Sequence, residues 1–161
     1  MDRGVKPMTG SLREGEPRSS PLLEMGFSMH ASNRSDPLPH AEPALRAIAM
    51  PADANPYGDI FGGWLLSQMD LASGAAARRR AKGRTVTVAI TAMTFHRPVF
   101  VGDEVSCYAE IIKVGKTSIT VKVESRVRRG IGDEHIAVTE GTFTYVAVGE
   151  DRRPRPVPPE D

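Results

Sequence analysis

Between residues 62 and 83 the chain reads GGWLLSQMDLASGAAARRRAKG. Phe61, Leu65, Met69, Ala72 and Ala76 recur at spacings of three and four, which is one face of a helix, and Gly83 is a suitable stop. Close to twenty residues make a helix of about 30 Å. Its other sides are poorly suited to water, since Trp64, Leu66, Leu71 and Ala75 lie off that stripe and are apolar too. A helix of this kind has to be enclosed by the rest of the chain. What flanks it therefore decides the fold.

Strand patterns flank it. Residues 84 to 95, RTVTVAITAMTF, alternate strictly, which predicts a strand with Val86, Val88, Ile90 and Ala92 on one face and threonines mostly on the other. Residues 104 to 114, 117 to 128 and 135 to 148 behave alike. In the second of these Ile119, Val121, Val123 and Val127 face one way and Lys122, Glu124 and Arg126 the other. Gly115 and Lys116 alone separate two of these strands and predict a tight two-residue hairpin, whereas RGIGDE makes a looser turn. A short strand at ALRAIAM, 44 to 50, precedes the helix. The expectation is an α+β domain in which a five-stranded antiparallel sheet wraps one long central helix, the element order of a hotdog fold.

The folded body is expected to span 44 to 150. Residues 1 to 43 are rich in Gly, Pro, Ser, Arg and Glu without a period, and read as a flexible tail in which Met25 and Met29 leave later starts open. Residues 151 to 161 form a proline-rich tail, either extended on the surface or disordered. With 21 basic and 20 acidic side chains the net charge is +1, so the balance calls for neither nucleic acid nor an anionic membrane. The run ARRRAKGR, 77 to 84, is explained by cations opposing the negative end of the helix dipole. No apolar stretch is long enough to span a bilayer and no secretory signal is evident, which makes the cytoplasm the expected location. The lone Cys107 sits in an alternating stretch and reads as a small buried residue.

The runs AMPADANPYGDIFGGWLLSQMDLASG, TVAITAMTFHRPVFVGDEV, VGKTS and FTYVAVGEDRRPRPVP come in order from about Leu45 to Pro158. Together they closely resemble the YciA-type acyl-coenzyme A thioesterases of the hotdog superfamily. The resemblance implies hydrolysis of acyl-CoA to a free acid and coenzyme A, with the catalytic carboxylate at Asp59 acting as general base or as nucleophile. Related thioesterases of two fused hotdog domains use an aspartate at the position of Asp70. It also implies homodimers with active sites at the interface, assembled to hexamers as trimers of dimers. Thr94, Phe95, Arg97, Gly115, Lys116, Thr117 and Ser118 are brought forward as contacts to the coenzyme A portion. Coenzyme A belongs to substrate and product, so no separate cofactor is implied.

Thioester cleavage needs a carboxylate near the carbonyl carbon and donors aimed at the developing oxyanion. The stretch NPYGDIFGGW can offer both: free first-turn N–H groups carry the positive end of the helix dipole, and Gly62 and Gly63 let a substrate approach the main chain. The plainer reading of Asp59 is a helix N-cap on those same N–H groups. Asp70 follows Asp59 by eleven residues, about 16 Å along a helix, too far for both carboxylates to touch one carbonyl. Two subunits with antiparallel helices would bring Asp59 of one to Asp70 of the other. Otherwise Asp70 hydrogen-bonds at the interface or orients the motif through Asn55 or Gln68. Asn55 either builds the turn or positions the water. Arg97 and Lys116 suit phosphates, or are solvated surface. His96 has no companion at metal-ligand spacing, so no metal site is expected. A hydratase using histidine is disfavoured, as the histidines at 30, 40, 96 and 135 all lie outside the helix-start motif. A non-catalytic acyl-CoA binding or sensing protein on the same fold is the alternative to the hydrolase.

Overall fold

A computed structural model of the chain describes Pro39 and residues 42–160. The expected tail, 1 to 43, thus lies almost wholly outside the described residues. Strand β1 (Leu45–Ile48) leads through a short 3-10 turn (Pro51–Asp53) to helix α1 (Gly62–Arg80). Four strands follow, β2 (Thr85–Phe95), β3 (Glu104–Val114), β4 (Ser118–Arg128) and β5 (His135–Ala147). The sheet order is β1-β3-β4-β5-β2 and every pair is antiparallel. The helix packs on all five strands. This is the expected hotdog arrangement.

The core lies between α1 and the concave face. Leu65, Met69, Ala72 and Ala77 meet Val105, Cys107, Ile119, Val121, Val123, Val127 and Phe143, all at most 3 % exposed. The small residues Ala72, Ser73, Ala76 and Ala77 let the helix lie close to the sheet. Each fully buried Val, Ile, Phe or Met contributes about 1.5–3 kcal/mol. Cys107 is buried among them, and burial pushes its thiol up to about 11 against an opposing bond from Ser125, which leaves it inert as expected.

Three expectations are corrected. First, β2 does not keep one apolar face. Val86 lies opposite Val146, while Ile90 lies opposite Phe143, three residues back along β5 and so on the other face. A bulge between Thr87 and Ala89 inserts Val88 and inverts the alternation; a second irregularity between Thr91 and Thr94 places Ala92 at φ 52°. Second, the turn after β3 is displaced by one residue. The Gly115 N–H donates to the Ser118 carbonyl at 2.7 Å, so Lys116 and Thr117 form the tip. Third, one chain covers only one side of α1. Leu71 is 60 % exposed, and β2 is an edge strand bare along nearly its whole length. Arg126 faces outward as expected, with Ser106 in its row, and is buried beside Glu124, whose carboxylate accepts from its Nε at 2.7 Å.

After a turn at Asp151 and Arg152, residues 153–160 run along the surface. Val157 donates to the Lys116 carbonyl at 2.9 Å, Arg155 to those of Ala81 and Val148, and Arg80 reaches the Pro158 carbonyl at 2.7 Å. Among the described residues no helix is long and apolar enough to cross a membrane.

Candidate active site

The segment from Asn55 to Gly63 is a loop locked by its own polar groups. The Asn55 Oδ1 accepts the N–H groups of Tyr57 at 2.9 Å and Asp59 at 3.1 Å. Its N–H donates to the Asp59 carbonyl at 2.7 Å, and Gly58, at φ 91°, donates to the Asn55 carbonyl. Asn55 therefore builds the turn that presents Asp59. Across the loop, Asp59 bridges to Phe100, and Ile60 donates to the Val99 carbonyl at 3.0 Å.

That geometry decides the capping question. The N-cap position is Phe61, with φ −58° and ψ 132°, and no side chain caps the helix. Asp59 sits two residues earlier. Its carboxylate is exposed and makes no hydrogen bond or ion pair among the described residues. Phe61 donates to the Asp53 carbonyl, and Trp64 and Leu65 donate to Phe61, so the N–H groups of this turn without a partner among the described residues are those of Gly62 and Gly63. An ionisable carboxylate and two unused donors at the positive end of a helix thus lie within five residues of one another.

Phe95, at the end of β2, lies against this turn: a Cβ on Gly62 would stand 3.3 Å from its ring. Arg97 donates to the Ala137 carbonyl at 2.8 Å, and Thr94 is exposed beside Glu140. Gly115, Lys116, Thr117 and Ser118 lie elsewhere. Phe95 is level with Thr139 of β5 and Ser118 with Val146, which separates the two groups by roughly 25 Å along the strand direction. A single chain therefore does not unite the residues brought forward for coenzyme A. Nor does it unite the carboxylates, since Gly62 and Asp70 alone are about 12 Å apart along α1.

Asp70 has partners that the sequence reading did not name. Its Oδ1 accepts from Tyr145 Oη at 2.7 Å and Thr87 Oγ1 at 2.9 Å, rather than from Asn55 or Gln68. A second unforeseen cluster supports Asp59. Buried Asp103 takes a two-pronged hydrogen bond from Arg129, Nε to Oδ1 at 2.9 Å and Nη2 to Oδ2 at 2.7 Å, and also accepts the Phe100 N–H at 2.9 Å. These bonds hold the loop that bridges to Asp59, and the hydrogen bond that Arg129 donates to Asp103 raises its pKa above the usual arginine value. A tyrosine in an apolar row was the available signal for the first cluster, because a buried phenol requires a partner.

Residues 57–131 match the thioesterase superfamily. A Zymomonas mobilis protein described as an uncharacterized acyl-CoA thioester hydrolase is 53 % identical over 84 % of this chain and 91 % of its own length. The acyl-CoA thioester hydrolase YciA of Salmonella typhimurium is 51 % identical over 76 % of this chain and 95 % of its own. The chain belongs to this family. Among solved structures, the hexameric thioesterase of Yersinia pestis superposes on this thioesterase-family chain with a TM-score of 0.73 at 50 % identity, covering 76 % of it and all of the Yersinia chain. The hotdog fold and the family inferred from the ordered motifs are thereby established for the body that carries Asp59 and Asp70.

Proposed function

We propose that the chain hydrolyses acyl-CoA thioesters to a free carboxylic acid and coenzyme A, with Asp59 as the catalytic carboxylate. The observation that carries this reading is the uncommitted Asp59 carboxylate on the turn that leads into the unpartnered N–H groups of Gly62 and Gly63. Asp59 takes a proton from water as its oxygen attacks the thioester carbonyl. The oxyanion is held by the two glycine N–H groups and the positive end of α1. Collapse then breaks the carbon–sulfur bond, and the coenzyme A thiolate takes up the proton. Alternatively the carboxylate attacks directly, and water cleaves the resulting anhydride; ¹⁸O from labelled water entering Asp59 in a single turnover marks this second route.

In this reading two chains complete each site. Homodimers bring Asp70 and the turn 115–118 of one protomer to Asp59, Gly62 and Phe95 of its partner, and three dimers form a hexamer. The bare edge of β2, with Val88 55 % and Phe95 49 % exposed, supports such pairing, as does the family relation to a hexameric thioesterase. Thr94, Arg97, Lys116, Thr117 and Ser118 then contact coenzyme A. Asn55 acts through the turn it builds. No cofactor takes part beyond the coenzyme A of the substrate, and the reaction belongs in the cytoplasm, where a buried free thiol such as Cys107 is at home.

Release of free thiol from acyl-CoA, followed with a thiol-reactive dye, tests the proposal. Asp59→Asn is expected to lose at least about a hundredfold in kcat while still binding coenzyme A. Full turnover in that variant would sink the role of Asp59. A wild-type protein that binds acyl-CoA and releases no thiol would make it a binding protein instead.

A further inference from the structure

Tyr145 is a buried titratable group for which the mechanism so far has no use. It stands on the concave face of β5, level with Thr87 of β2 and Ile119 of β4, and is 2 % exposed. Its ring packs against α1 at Gly74, where a Cβ would stand 3.6 Å from it, in ordinary van der Waals contact. Its hydroxyl is 2.7 Å from Ser73 Oγ, 2.7 Å from Asp70 Oδ1 and 3.1 Å from the Asp70 carbonyl.

A phenol has one hydrogen to give. An ionised carboxylate only accepts, and a charge-assisted bond is the strongest of the three, so the hydrogen goes to Asp70 Oδ1. The single Ser73 hydrogen lies between two acceptors, the Met69 carbonyl at 2.6 Å and the phenol oxygen at 2.7 Å. Thr87 donates to the same Oδ1. The second oxygen, Oδ2, accepts no hydrogen bond among the described residues. Burial, opposed by the Ser73 bond and reinforced by Asp70, holds the Tyr145 pKa well above the usual tyrosine range, so the phenol remains a donor at any working pH.

We infer that Tyr145, assisted by Thr87, is a positioning residue for thioester hydrolysis: the two hydroxyls pin Asp70 by Oδ1, so that Oδ2 is presented to the thioester held at the partner protomer's Asp59. This rests on the shared site proposed above. Two donors on one oxygen restrict rotation of the carboxylate, and the other oxygen is left for the reaction.

The test compares Tyr145→Phe, Asp70→Asn and the double variant, each verified as folded and of unchanged oligomeric mass. Tyr145→Phe is expected to lower kcat on the order of tenfold with KM unchanged, because only orientation is lost. In the Asp70→Asn background the same change is expected to have no further effect. A general loss of packing would persist in that background. Wild-type kcat in Tyr145→Phe with an impaired Asp70→Asn overturns the inference, as do losses that multiply in the double variant. A fully active Asp70→Asn removes the role of Asp70 itself and the inference with it, an outcome distinct from the other two. Should Tyr145→Phe misfold, Thr87→Val carries the same comparison at an exposed position. A kcat loss there that vanishes beside Asp70→Asn supports the inference, and an unchanged kcat overturns it.

Discussion

Arg129→Ala is expected to be far more damaging than Arg128→Ala, although the two delete the same charge one residue apart. Asp103 is 2 % exposed, and two of the three hydrogen bonds that its carboxylate accepts come from Arg129, whose guanidinium also stacks over Phe100 at 4.4 Å. Without Arg129 the buried carboxylate keeps one donor, the Phe100 N–H. Breaking a buried pair from one side costs about 3–5 kcal/mol. The Arg129 side chain is 39 % exposed, so water reaches the vacated place and the lower end, about 3 kcal/mol, is expected. For a domain of this size that lowers Tm by about 10 °C. Arg128 instead pairs with Glu104 at 2.8 Å, with 41 % and 25 % of the two side chains exposed. Such a pair contributes about 0.5 kcal/mol and its loss lowers Tm by about 2 °C. Thermal unfolding of both variants at pH 7, equal salt and equal protein concentration measures the difference. Because Phe100 and Val99 brace Asp59 and Ile60, Arg129→Ala is also expected to lower kcat well below its Tm. Equal Tm losses in the two variants, or an unchanged Tm in Arg129→Ala, would refute the reasoning.

Other outcomes follow from the same geometry. Gly63→Ala meets nothing within 4 Å, so it is expected to keep or raise stability, by at most about 1 kcal/mol from helix propensity, yet to reduce kcat by crowding the oxyanion donors; an unimpaired kcat would remove Gly63 from the site. Gly141→Ala is the contrast, since its Cβ would stand 2.7 Å from Met93 Sδ inside the packed face; a loss of about 1–3 kcal/mol in denaturant unfolding is expected. Cys107 should resist thiol reagents until the protein unfolds. Its thiol is raised in the fold, so the unfolded chain loses the proton first and this group's contribution to stability declines between about pH 9 and pH 11, which a Cys107→Ala comparison in that window checks.

Much of the fold was legible because its rules are local. The spacing of Leu65, Met69, Ala72 and Ala76 marks a helix, and the period of two in β3, β4 and β5 marks strands, each from neighbours within a few residues. The ordered motifs also brought Asp59 forward. Local rules fail where a contact links distant parts of the chain. Asp59, three residues before the helix, is the residue type that favours capping, yet backbone geometry sets the cap at Phe61, which leaves the Asp59 carboxylate uncommitted. The bulge at Val88 is invisible in an alternating string, because it exists only relative to β5. Tyr145 reaches Asp70 across 75 residues, and Arg129 reaches Asp103 across 26, through strand order that no spacing encodes. By itself, then, the sequence determined the elements, their order and the family. Only the tertiary structure decided which polar groups are spent on each other and which stay free for chemistry, because that depends on the register in which the sheet closes over the helix.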